Sequence, residues 1–148
     1  MLSLLAGLAH LVARVGWLSV RARSVDQLLA LSRREFEVEV GRLLGGLGYR
    51  QVKHVGGPGD LGMDLRAIDP QGRTVGIQCK RYASTSRVAS RDMQGFVGML
   101  VHHRLDRGLF VTTSTFTAAA RSLANDHGIE LVDRDALARM VMVRDRAG

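Results

Sequence analysis

The chain has 148 residues, 46% of them hydrophobic, which suits one compact domain and excludes a disordered polypeptide. Its 17 glycines follow no period, excluding collagen-like and low-complexity readings, and its one cysteine, Cys79, excludes an internal disulfide and points to a reducing compartment. With 21 basic residues against 14 acidic ones, the net charge is +7, a balance that suits a polyanionic partner such as nucleic acid or an anionic membrane surface.

Residues Met1 to Val20 are strongly apolar, broken by Ser3, His10 and Arg14. On a helix these three and Arg21 fall on one narrow stripe. The uncharged run before Arg14 is too short to span a bilayer, and the segment lacks a signal-peptide cleavage site. Three readings stay open: a helix packed on the domain or a partner, a membrane-associated helix with Arg21 and Arg23 behind it, or part of a longer N-terminal region. Domain boundaries follow, with an apolar helix and linker over 1–24 and a globular domain over 25–148.

A short helix is expected over Val25 to Leu31. Ser32 is an N-cap candidate, and Phe36, Val40, Leu43, Leu44 and Leu47 then recur at helical spacing up to a stop at Gly48. Tyr49 to Val55 reads as a strand, and Gly56 to Asp60 as a turn in which Asp60 bonds the backbone. Leu61 to Ile68 and Thr74 to Tyr82 read as two strands of an antiparallel hairpin about the turn at Asp69 to Gly72. A helix is expected over Val88 to His103 and a strand over Gly108 to Thr113. A helix capped by Ser114 or Thr115 then runs to about Gly128, followed by a strand over Ile129 to Val132. The last helix, opened by Asp133 or Asp135, runs through Val143. Antiparallel strands followed by alternating strands and helices imply an α/β fold with a mixed central sheet and helices on both faces.

Strand side chains alternate faces. Ile77 and Cys79 suit the apolar side of their strand, which puts Gln78 and Lys80 together on the other. The hairpin pairs positions whose numbers sum to roughly 141 to 143, so Asp64 lies beside Gln78. A carboxylate, an amide oxygen and an ammonium then converge. The two oxygens can hold Mg²⁺, a hard ion, and Lys80 can orient or deprotonate a water for in-line attack on a phosphodiester. The same spacing also arises on an ordinary solvated strand face. One compositional detail favours chemistry: 19 of the 21 basic residues are Arg, and only Lys53 and Lys80 are Lys, whose ammonium is tunable where guanidinium is not. His54, His102 and His103 show no zinc spacing with Cys79.

Several short motifs, in order, give this sequence a wider likeness. They are Glu35-Phe36-Glu37, Leu44-Gly45-Gly46-Leu47-Gly48-Tyr49, Gly59-Asp60-Leu61-Gly62-Met63-Asp64-Leu65 and Gln78-Cys79-Lys80-Arg81-Tyr82. Gln94-Gly95-Phe96, Val111-Thr112-Thr113-Ser114-Thr115-Phe116-Thr117 and Ile129-Glu130-Leu131-Val132-Asp133 follow. From about Ser32 to Leu137 the chain resembles the Mrr-type restriction endonucleases, a branch of the PD-(D/E)xK nuclease superfamily. That resemblance implies a restriction-endonuclease-like core and Mg²⁺-dependent DNA cleavage, with Mn²⁺ able to substitute and no small-molecule cofactor. It maps the catalytic Asp to Asp64, the Gln variant of the acidic position to Gln78 and the catalytic Lys to Lys80. Asp64 and Gln78 are the expected metal ligands. A neutral amide binds Mg²⁺ more weakly than a carboxylate, and Glu37 matches the family position that would compensate.

Arg81, Arg87 and Arg91 lie where phosphate contacts are expected, as do Thr113 and Ser114, read as a strand end at a helix start. The expected activity is therefore a Mg²⁺-dependent endodeoxyribonuclease of restriction or DNA-processing type, cytoplasmic or held at the cytoplasmic face of a membrane through residues 1–20. The expected partner is DNA, with a homodimer left open. The alternatives are a non-catalytic DNA-binding or membrane-anchored module of the same fold, and a structure-specific resolvase or repair nuclease. Little of the chain remains for target recognition, so sequence or methylation specificity is expected from a partner or an oligomer.

Overall fold

A computed structural model describes residues 24–55 and 62–147. The apolar N-terminal segment and the turn carrying Asp60 lie outside the described residues. Among the described residues, no helix is long and apolar enough to cross a membrane.

The chain runs α1 (Ser24–Ala30), α2 (Arg33–Gly46), β1 (Arg50–His54), β2 (Leu65–Ile68), β3 (Thr74–Lys80), β4 (Arg87–Val88), α3 (Ser90–His102), β5 (Arg107–Thr112), β6 (Thr115–Phe116), α4 (Ala118–Asp126), β7 (Glu130–Val132) and α5 (Arg134–Ala147). The five-stranded sheet has the order β1-β2-β3-β5-β7. Its first three strands are antiparallel and its last three parallel. Between them, β3 and β5 are buried almost throughout, as central strands with helices on both faces must be.

Local chemistry sets the boundaries of α2. Ser32 and Glu35 form a reciprocal capping box, the Glu35 N–H donating to Ser32 Oγ at 3.2 Å and the Ser32 N–H to Glu35 Oε2 at 2.9 Å. Phe36, Val40, Leu43 and Leu44 are buried, and Gly48 reverses the chain at φ +92°. At the β2–β3 turn, the Asp69 carboxylate accepts the N–H groups of Gln71 and Arg73 at 2.9 and 2.8 Å.

One sheet face packs Val75, Ile77, Cys79, Leu109 and Val111 against apolar residues of α1, α2 and α5. The other packs Phe110 against Met93 and Phe96 of α3 and Ala120 and Ala124 of α4. Phe110 meets Phe96 and Phe116 edge to face, with ring centroids 5.5 Å apart in both pairs. The sheet thus divides β3 as its alternation requires, with Ile77 and Cys79 toward α2 and Gln78 and Lys80 on the opposite side.

Several boundaries differ from expectation; the third strand, for one, ends at Lys80 and not at Tyr82. The second strand begins at Leu65, although the Asp64 N–H still donates to Ile77 O at 2.9 Å. The helix expected from Val88 begins at Ser90, because Arg87 and Val88 pair in parallel with Thr115 and Phe116; a two-residue strand has no period to read. Thr117, rather than Ser114 or Thr115, caps α4 by accepting the Ala120 N–H at 3.1 Å. The last helix continues past Val143 to Ala147, opened by Asp133, which accepts the Ala136 N–H at 2.9 Å.

Candidate active site

The hairpin register places Asp64. Leu65 pairs with Ile77, Arg66 with Gly76, Ala67 with Val75 and Ile68 with Thr74. One step further, Asp64 leaves the regular ladder. The alignment is locked from both sides: the Asp64 N–H donates to Ile77 O, and Asp64 Oδ2 accepts the Cys79 N–H at 2.8 Å. Oδ1 remains turned toward other partners. The carboxylate is buried.

The first helix of the resemblance delivers the second carboxylate. Glu37 lies one turn after the N-terminus of α2, next to Phe36, which anchors the helix in the core. It is itself buried. Burial, then the neighbouring Asp64 charge, raises its carboxyl above the ordinary value, while Arg33 and Arg34 oppose the rise. Two carboxylates from elements far apart in sequence therefore share one low-dielectric corner. The same corner pushes the Cys79 thiol well up, through burial first and then the Asp64 and Glu37 charges.

Gln78 lies next along β3, on the other face of the strand from Cys79. Its side chain is 1% exposed and its Oε1 has no hydrogen-bond partner. A buried amide oxygen without a partner costs about 1–3 kcal/mol unless something binds it. Two buried carboxylates and an orphaned amide oxygen are the hard donors that a magnesium-like ion takes, with water completing its shell. Among the described residues, no group of three or more His, Cys, Asp and Glu is placed to hold a metal.

Lys80 ends β3, half-buried on the Gln78 side. Its carbonyl accepts the Thr112 hydroxyl at 2.8 Å and the Thr113 N–H at 3.4 Å, which fixes the strand end from which the ammonium projects.

Two residues that the sequence patterns do not single out join the site. Arg33, one helical turn before Glu37, reaches Glu37 Oε1 at 3.3 Å and Asp64 Oδ1 at 3.5 Å. The Asp64 charge is the main reason its guanidinium pKa is raised. His54, from β1, places Nε2 3.8 Å from Glu37 Oε2. Burial, then the Arg34 charge, lowers its pKa, with Asp64 opposing. The i, i+4 spacing of Arg33 and Glu37 is visible in sequence; the approach of His54 is not.

The flanking residues divide. Arg87 and Arg91 are exposed at the entry to α3. Arg81 is exposed but turns to the other side of the sheet, donating to Leu29 O of α1 at 3.0 Å. Thr113 and Ser114 are buried. The Thr113 hydroxyl donates to Tyr82 O at 2.7 Å and the Ser114 hydroxyl to Ser86 O, so both tie down the β3–β4 connection. They end no strand at a helix start, since α4 begins at Ala118.

Residues 28–141 match the profile of the restriction endonuclease family built on the Mrr catalytic domain. The type IV methyl-directed restriction enzyme EcoKMrr of Escherichia coli strain K12 is 37% identical over 131 residues, covering 84% of this chain and 42% of that protein. Among solved structures, the DNA modification-dependent restriction endonuclease AspBHI matches with a TM-score of 0.64 at 16% identity, over 86% of this chain and 36% of that one. The MspJI restriction endonuclease, in complex with a 27-mer oligonucleotide, matches with a TM-score of 0.62 at 24% identity, over 85% and 32%. These two structures share the fold, a mixed sheet flanked by helices. The chain spans less than half the length of the curated relative EcoKMrr.

Proposed function

The chain belongs to the Mrr-type restriction endonuclease family, and from that premise we propose that it is a Mg²⁺-dependent endodeoxyribonuclease acting through Asp64, Glu37, Gln78 and Lys80. The observation that carries the reading is the buried, unpartnered Oε1 of Gln78, one residue along β3 from Cys79, whose N–H holds the buried Asp64 carboxylate. An ordinary solvated strand face has no reason to keep a polar atom in that condition.

Asp64, Glu37 and Gln78 would hold the ion through carboxylate and amide oxygens. When bound, Mg²⁺ supplies Lewis-acid stabilisation of charge on the phosphate and the leaving oxygen. Asp64 is held for this by the Cys79 N–H, which fixes the carboxylate plane. Lys80 orients a water in line with the scissile bond through a hydrogen bond from its ammonium, or takes the water's proton when it is the neutral amine. An ammonium on a flexible stem suits that task better than a guanidinium. Arg87 and Arg91, exposed beside β4 and α3, bind the phosphate backbone and position the duplex.

The +7 charge and the oligonucleotide bound by the fold relative MspJI support DNA as the partner. Incubation of the purified protein with supercoiled plasmid, linear duplex and single-stranded DNA, in Mg²⁺ and in EDTA, tests the reading. Nicking or linearisation of plasmid in Mg²⁺ and none in EDTA is the expected result. DNA binding without cleavage in either buffer would leave a binding module of the same fold.

A further inference from the structure

We propose that Arg33 is a built-in competitor for the cation site: its guanidinium binds the oxygens of Asp64 and Glu37 that a divalent ion needs, and it leaves them when that ion binds. The proposal rests on the metal-dependent reading above and adds to it a residue outside the catalytic motif.

The geometry makes the competition specific to atoms. Asp64 has two carboxylate oxygens. Oδ2 is committed to the Cys79 N–H at 2.8 Å, so Oδ1 is the oxygen left to face a cation, and Oδ1 is the one that Arg33 Nη2 approaches at 3.5 Å. On Glu37, Oε2 looks toward His54, while Oε1 receives Arg33 Nε at 3.3 Å. Both contacts are longer than the roughly 2.7–2.9 Å of a tight charge-assisted hydrogen bond. The guanidinium is therefore held loosely across the two acids.

Mobility is divided in the same sense. The acids are fixed, one by the hairpin ladder and the other by a helix anchored through Phe36, and their side chains are 6% and 10% exposed. The Arg33 side chain is 72% exposed. It comes in from solvent on a long arm and can swing back out without disturbing the core. An ion pair with so exposed a partner contributes little, so a dication can displace it. A dication and a guanidinium within a few ångströms repel each other, so both cannot occupy the corner together.

This predicts a sign that a structural role would not produce. If Arg33 only braced the acids, removing it would let them repel each other and loosen metal binding. As a competitor, its removal tightens binding. Mn²⁺ alone, titrated by calorimetry into the full chain and into Arg33→Gln, separates the two. The variant should bind Mn²⁺ about threefold or more tightly, and Arg33→Lys, which keeps the competing charge, should stay near the parent. Melting curves complement the titration, with Arg33→Gln melting below the parent in EDTA and gaining more from added Mn²⁺. Equal or weaker Mn²⁺ binding by a folded Arg33→Gln overturns the proposal and leaves the metal reading standing. If neither protein binds Mn²⁺, the metal reading falls and the proposal with it. Asp64→Asn, which should lose Mn²⁺ binding in either case, calibrates the signal.

Discussion

Gly62 lies against the backbone of Gly95: a β-carbon on Gly62 would stand 3.0 Å from the Gly95 carbonyl carbon and 3.2 Å from its oxygen. Gly62 also has φ +108°, a region open to glycine and strained for other residues. The short motifs around Met63 and Phe96 thus meet in space, where α3 presses on the segment that enters β2. Asp64 is two residues on. Gly62→Ala should destabilise the fold by about 1–3 kcal/mol and lower cleavage beyond what the unfolded fraction explains, because Asp64 shifts off the Cys79 N–H. Urea unfolding alongside plasmid cleavage checks this; a variant matching the parent in both would show that the contact is soft.

Lys80→Ala should lower cleavage by about a hundredfold or more and leave DNA affinity within about twofold, since one of 21 positive charges is lost. Arg81 cannot substitute, because it bonds α1 across the sheet. Lys80→Arg should be equally inactive. Asp64→Asn should also be inactive, but partly recovered at high Mg²⁺, which Lys80→Arg should not be. Parent-rate cleavage by Lys80→Ala would remove Lys80 from the chemistry.

Gln78→Met keeps the volume of the side chain and removes the orphaned oxygen. It should raise stability by about 1 kcal/mol while reducing Mg²⁺-dependent cleavage at least tenfold. Opposite signs in the two measurements are the signature of a polar atom kept for binding. A variant that is both less stable and fully active would mean the amide serves packing alone.

Asp69 links the β2–β3 turn to β5. Burial would raise its carboxyl, but the Arg73 N–H and then the Arg107 and Arg73 guanidiniums more than offset this, holding it down to about 2 from an ordinary 3.8. A depressed carboxylate contributes stability that is present above about pH 4 and lost as pH falls toward 2. Asp69→Asn should therefore melt several degrees below the parent at neutral pH, with the gap closing in acid. Parallel melting curves for the two proteins across that window would contradict the assignment.

DNA binding should be dominated by phosphate contacts and nearly independent of sequence. Affinity for a duplex in EDTA should fall at least about tenfold between 50 and 200 mM salt, linearly on logarithmic axes. Arg87→Ala and Arg91→Ala should each lower the slope by about one. A flat titration would defeat the electrostatic account.

Features set by near neighbours were legible in the amino-acid sequence. The Ser32 cap, the apolar face of α2 and the stop at Gly48 each depend on a few adjacent residues, and all are present. So is the hairpin, because one turn and a period of two determine its pairing: Leu65 with Ile77 gives a sum of 142, within the expected range. The two-residue strands β4 and β6 were not legible, since each exists only by pairing with the other.

Tertiary packing decided the rest, because burial and charge proximity depend on which distant surfaces meet. Glu37 could have been one exposed acid among Glu35, Glu37 and Glu39; docking of α2 on the sheet buries it beside Asp64, where burial and then the Asp64 charge raise its carboxyl. The same packing turns Thr113 and Ser114 inward to loop carbonyls, draws Arg81 to α1, and brings Arg33 and His54 to the acids. Sequence spacing specifies which side of its own strand or helix a residue takes. Only the assembled layers specify what stands across from it, and a carboxylate's affinity for a proton, an arginine or a metal ion is set by those neighbours.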